Sequence, residues 1–163
     1  MSAPGNVRKA ESTRSDWATP WPVFEALDAE FRFTVDAAAS AENRKCERYL
    51  TEEEDALKAD MIDQVVFINP PYGAGLIEWI AACAGWSSQG STVVALLPSC
   101  TETAWLRLAW ETAHEIRLVY PRVNFVGTKS GNTAGSLIVV WRPGPAVPMP
   151  RMYPWTWKTG AAQ

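Results

Sequence analysis

The residues in this chain best suited to chemistry are four in a row, Asn69-Pro70-Pro71-Tyr72. They follow directly on the apolar run Val65-Val66-Phe67-Ile68, so a buried strand delivers an amide, two rigid prolines and an aromatic ring to its own carboxyl end. An exocyclic amino group on a nucleobase is a poor nucleophile, because its lone pair is delocalised into the ring. Group transfer onto that nitrogen needs acceptors that bind its hydrogens and favour charge on nitrogen. The Asn69 side-chain oxygen can be one acceptor and the Pro70 backbone carbonyl the other, and the prolines stiffen the turn that aims them. Tyr72 supplies a flat face for a base, which must first leave any duplex stack. The plain alternative is a proline-stopped strand with a turn asparagine. The direct junction of strand and tetrapeptide favours the chemical reading.

Elements to hold such a turn are legible on both sides of it. Thr19-Pro20 marks a helix start, Thr19 as N-cap and Pro20 at the first helical position, with the helix running to about Glu30. Residues 33–36 form a short strand ending in Asp36, followed by Ala37, Ala38, Ala39 and Ser40. Residues 42–48 read as a charged helical piece. After the tetrapeptide come a helix over 75–86, a strand over 92–97 stopped by Pro98, a helix over 102–113 and a strand over 115–120. Residues 123–126 and 136–141 read as a terminal hairpin around a glycine-rich loop. This alternation predicts an α/β domain over 16–142, with a mostly parallel sheet and an antiparallel edge pair. Residues 1–15 read as a loose leader and 143–163 as an irregular tail rich in proline and tryptophan. Ligands of such sheets bind beyond the carboxyl ends of the strands, so Asp36, Asn69 and Pro98 should share one rim.

Composition narrows the classes. A chain of 163 residues, 47% of them hydrophobic, can bury one core. Its polar N-terminus has no signal-peptide h-region, and no apolar run is long enough to span a bilayer. Cys46, Cys83 and Cys100 form no CxxC pair, which argues against a disulfide framework or zinc site and for a reducing cytoplasm. His114 is the single histidine and has no visible acid–base partner; the chemistry needs no metal. The net charge of −3 is unevenly spread: 8 Lys/Arg against 15 Asp/Glu up to Pro98, then 7 against 3. The acidic part suits a cationic ligand. In the basic part, Arg107, Arg117, Arg122 and Lys129 are expected to face phosphates, Arg122 and Lys129 flanking the hairpin and its loop.

Residues 67–73 resemble the catalytic motif of amino-methyltransferases. The wider pattern, Asp16-Trp17-x-Thr19-Pro20, Asp36-Ala37-Ala38-Ala39, Asn43-Arg44-Lys45-Cys46 and Tyr49, is similar to the phage-type Dam-like DNA N6-adenine methyltransferases over roughly residues 16–141. The resemblance implies a class I, Rossmann-like methyltransferase fold that binds S-adenosylmethionine. It implies methyl transfer to the N6 amino group of adenine in double-stranded DNA, in the cytoplasm (a host's, if phage-encoded). Thr19 and Pro20 match positions near the cofactor's methionine end. Asp36, Ala37 and Ala38 match the loop after the first strand, where a carboxylate can hold the cofactor's ammonium. Asp55 or Asp60 would meet its ribose or adenine, and Met61 would line its ring or sit in the core. Phe125 matches a second aromatic near the target base. The chain departs from the general methyltransferase pattern in having no Gly-x-Gly in the first loop; the alanine-rich form fits the phage group. Three alternatives stay open at this stage: another amino or amide nitrogen as acceptor (RNA, cytosine or protein glutamine), a non-catalytic nucleic-acid-binding module, and either a monomer or a homodimer.

Overall fold

The computed structural model describes residues 17–127 and 134–158; the leader at 1–15 and Lys129 lie outside them. In chain order the elements are α1 (Trp21–Phe31), β1 (Val35–Asp36), β2 (Val65–Ile68), α2 (Leu76–Ser88), β3 (Thr92–Pro98), α3 (Ala104–Thr112), β4 (Glu115–Tyr120), β5 (Ser136–Trp141) and β6 (Arg151–Thr156). The strands make one sheet in the order β1-β2-β3-β5-β4-β6. Parallel pairing joins β1 to β2, β2 to β3 and β4 to β6, and β5 runs antiparallel between β3 and β4. Only β5 is therefore reversed.

Both faces of the sheet are covered, which is why its central strands are apolar without interruption. In β3, Val93, Ala95 and Leu97 pack with Ile80, Cys83 and Trp105 of α2 and α3. Val94 and Leu96 point the other way, onto Val23, Phe24 and Leu27 of α1. Burying each such aliphatic side chain is worth about 1.5–3 kcal/mol, so the rim of β1, β2 and β3 stands on a rigid base. At the end of α2 the chain turns through Gly90 at φ +102°, where any Cβ would strike the Asp63 carboxylate.

Four expectations need correction. Pro20, not Thr19, is the N-cap of α1; its carbonyl accepts from the Val23 and Phe24 N–H groups, and Thr19 stands one residue outside. Residues 42–48 form no helix, because side chains compete for the backbone. Asn43 Oδ1 accepts from Ser40 N–H at 2.7 Å, Ser40 Oγ accepts from Asn43 N–H at 3.3 Å, and Asp36 takes the Lys45 N–H. The segment 123–126 makes no hairpin with β5, both of whose edges are taken by β3 and β4. It pairs instead with the chain entry, where Ala18 and Val126 exchange N–H···O bonds at 3.3 and 3.0 Å. The tail is not wholly irregular: its residues 151–156 are β6, and Pro154 is tolerated because an edge strand needs only one hydrogen-bonded side.

Candidate active site

The parallel strands β1, β2 and β3 end at Asp36, Ile68 and Pro98, so Asp36, Asn69 and Pro98 do share one rim. Asn69 leaves β2 with its Nδ2 donating to the Trp17 carbonyl at 2.8 Å. A carbonyl can only accept, so the amide must turn its NH₂ toward Trp17, and Oδ1 is left for an incoming donor. Pro70 is buried under the turn and Pro71 is exposed beside it. The Tyr72 hydroxyl donates to the Leu96 carbonyl at 3.3 Å, and burial pushes its pKa well above the usual phenol value.

An aromatic wall backs this turn. Phe125 stacks on Trp17 with centroids 5.8 Å apart and meets Tyr72 edge-on at 6.4 Å. Phe125 is itself only 4% exposed, so it supports the two other rings from behind.

Two spaces that share Ala38, Asn43 and Asn69 as lining open at the rim. The larger is a cleft of about 930 Å³ between the Ala37, Ala38 and Ala39 strip, Pro71, Trp79, Leu50 and Leu57, edged by Glu42, Glu52, Glu53 and Asp55. The smaller is a polar recess lined by Trp17, Thr19, Asp36, Lys45 and Asn43. Asn69 lines both. Asp36 is 3% exposed and organises the loop between them, accepting the Lys45 N–H at 3.0 Å and the Ala38 N–H at 3.5 Å. Burial pushes its carboxyl up to about 6, against the pull of those two bonds and the Lys45 charge.

The structure thus brings together Asn69, Pro71, Asp36, Ala37, Ala38, Thr19 and Asp55. Asp55 has left-handed backbone (φ 48°) and pairs with Lys58 at 2.7 Å, which lowers its pKa. Other candidates lie elsewhere. Pro20 caps α1, and Asp60 accepts the Ile62 N–H in a local turn without lining either space. Met61 is fully buried core. Trp17, Lys45, Trp79, Leu50 and Leu57 line the site with no role assigned from sequence. Trp79 sits one turn beyond buried Leu76 on α2 and stays half-exposed, which only the fold reveals.

The profile of the DNA N-6-adenine-methyltransferase (Dam) family matches residues 6–153. The chain belongs to that family. The match runs past the region of resemblance at both ends and takes the first half of β6 into the Dam homology. The DNA N-6-adenine-methyltransferase of Haemophilus phage HP1 is 30% identical over 148 residues, covering 84% of this chain and 86% of that one. That of Escherichia phage T1 is 32% identical over 108 residues, or 65% of this chain and 45% of the phage T1 protein.

The basic surface expected on this Dam-family chain does not form as drawn. Arg117 is 2% exposed and belongs to the interior: its guanidinium binds both Glu30 oxygens at 2.6 and 2.7 Å and Glu115 at 2.8 Å. Arg107 lies on the outer side of α3, paired with Glu111 at 3.0 Å. Arg122 is exposed, five residues before the Gly127 turn. Among the described residues no group of His, Cys, Asp and Glu is arranged to hold a metal, and no helix is long and apolar enough to cross a membrane.

Proposed function

We propose that this chain, a DNA adenine-N6 methyltransferase by family, binds S-adenosylmethionine in the cleft at the rim and presents a flipped adenine from double-stranded DNA to Asn69. The observation that carries the reading is the Asn69 amide, locked by Trp17 with its oxygen outward at the junction of the two spaces. The residues fit the cofactor. A cleft of about 930 Å³ lies within the range of small-molecule sites, and three alanines leave its floor open. The acidic edge suits a cation. The sheet supports a class I reading, with its parallel half ending at the site and one reversed strand, β5, beyond it.

S-adenosylmethionine, when bound, supplies an electrophilic methyl group on a sulfonium. Asn69 Oδ1 and the Pro70 carbonyl accept the two N6 hydrogens of adenine and favour the positive charge that grows on nitrogen. The buried Pro70 and the Trp17 bond hold these acceptors before substrate arrives, so no reorganisation accompanies the reaction. The Tyr72 ring, braced edge-on by Phe125, stacks the extruded base. Thr19, Asp36, Ala37 and Ala38 hold the methionine end, and Asp55 faces the ribose. Incubation with tritiated S-adenosylmethionine and equal masses of DNA, RNA and glutamine-rich protein should label DNA alone, as N6-methyladenine on nucleoside analysis. Label in cytosine, RNA or protein would overturn the acceptor assignment, and no label at all the catalytic one.

The Asp36 carboxyl, lifted to about 6, adds a pH dependence. Its folded pKa lies above the unfolded one, so ionisation costs stability as pH rises through that interval. A bound ammonium reverses the cost by favouring the charged form, and binding then releases a proton. Affinity for S-adenosylmethionine is therefore expected to rise with pH and level off above about 6. Below that it should fall by up to about tenfold per pH unit. Calorimetry from pH 5 to 8 measures this; Asp36→Asn should bind weakly with a flat profile.

A further inference from the structure

The charges around the two spaces are not equivalent. Among the described residues, Asp36, Glu42, Glu52, Glu53 and Asp55 place carboxylates in their walls, and Lys45 is the only cation. Lys45 is half-buried at the recess, its ammonium 4.5 Å from the centre of the Trp21 ring and donating to the Asn43 carbonyl at 3.1 Å. No carboxylate of the described residues comes within 4.0 Å of that ammonium. Asp36, across the same recess, has its oxygens engaged by backbone N–H groups. The recess therefore holds one charge of each sign, close together and not joined. Burial lowers the Lys45 pKa and the Asp36 charge opposes that, so the ammonium would gain from a further anion.

We infer that Lys45 receives the α-carboxylate of the methyl donor, and that the recess seats the donor's zwitterionic amino-acid end. The inference rests on the reading that S-adenosylmethionine occupies the rim. A zwitterion needs a cation and an anion a few ångströms apart, and among the described residues lining the two spaces only the recess offers both; Lys58, beside the cleft, is already paired with Asp55. The adenosyl end is planar and largely apolar, and the larger cleft meets it with Trp79, Leu50 and Leu57. With the two ends assigned in this way, the sulfonium between them falls at the junction, where Asn69 stands in both spaces. Lys45 so sets which way round the donor lies.

The test is calorimetric binding by the full chain of S-adenosylmethionine and its decarboxylated counterpart, without DNA or turnover. The unaltered protein should favour the carboxylate-bearing donor by roughly ten- to a hundredfold, the range of a charge-assisted hydrogen bond. Lys45→Met should lose that preference, weakening S-adenosylmethionine alone, and Lys45→Arg should keep most of it. Circular dichroism checks that the variants fold; if Lys45→Met does not, the preference of the unaltered chain together with Lys45→Arg still decides. Equal affinity of the unaltered chain for both donors overturns the inference and spares the cofactor site. So does a Lys45→Met variant that keeps the preference or weakens both donors alike. Failure of the unaltered chain to bind either donor removes the cofactor reading itself, and this inference with it.

Discussion

Replacing Asn69 with alanine is expected to slow methyl transfer by at least about a hundredfold and to leave S-adenosylmethionine affinity within about twofold of the unaltered chain. The separation follows from what the side chain touches. Its Nδ2 is committed to the Trp17 carbonyl, and Oδ1 alone faces the acceptor. Alanine removes one of two preorganised acceptors at the moment nitrogen becomes positive, in a site partly shielded from water, where such a bond counts most. It leaves Asp36, Lys45 and the alanine strip in place, so the donor should still bind. Asn69→Asp is a sharper probe. A carboxylate keeps an acceptor toward the substrate but cannot donate to Trp17, so the group should be present and badly held, with activity between those of the other two. Single-turnover rates at saturating donor, beside calorimetric affinities, separate the effects. An alanine variant with near-normal turnover would remove Asn69 from the chemistry.

Arg117→Met should lower stability by about 3 kcal/mol, the low end for breaking a buried ion pair. Arg117 and Glu115 are 2% and 7% exposed, and Glu115 also accepts from Tyr153 at 2.6 Å and from Arg142. Burial opposes the Glu115 charge, but bonds from Tyr153, Arg117 and Arg142 hold its pKa down to about 2. Burial likewise disfavours the Arg117 cation, and the carboxylates of Glu30 and Glu115 more than reverse that. Methionine strands part of this charge. The cost stays at the low end because Arg142 and Tyr153 remain on Glu115, and Glu30, 43% exposed, can turn to water. For a domain of this size the midpoint of thermal unfolding should fall by on the order of 10 °C. Arg107→Ala, which breaks only an exposed pair on α3, should move it by a degree or two. Because the Glu115 pKa is depressed, its contribution is complete above about pH 4.5 and lost as pH falls toward 2. Equal melting temperatures for Arg117→Met and the unaltered chain would refute the buried-pair account.

Arg117 also illustrates what a sequence hides. By sequence it reads as any arginine in a basic stretch, and nothing local tells that Glu30 of α1, 87 positions away, meets it. Strands β2, β4 and β5 were legible to the residue, because each is a short apolar or alternating run bounded by turn residues. Pairing was not legible: residues 123–126 have strand-like content, but whether β5 has an edge to offer is a property of the whole sheet. The 42–48 loop reads as a helix by composition until the Ser40, Asn43 and Asp36 side chains claim its N–H groups. In the site, Asn69 and its neighbours declare a role by their type, whereas Trp79 and Lys45 do not: Lys45 stands within a motif, but its place as the cation of the recess, like the shape Trp79 gives the cleft, is a property of the fold.

The strand formed by residues 151–156 guards the margin of the domain. Inside it, β4 carries Leu118 and Tyr120, 44% and 74% exposed, and a full row of amides bonded to β6. β6 itself presents Arg151 and Pro154, a charge and a residue without an N–H, which make a poor template for another chain. Shortening the protein at Arg142 would take Tyr153 from Glu115 and bare β4 along its length. The new margin, apolar and rich in free donors and acceptors, would invite sheet-to-sheet self-association. Strand β6 thus shields an edge that β4 would otherwise present to other chains.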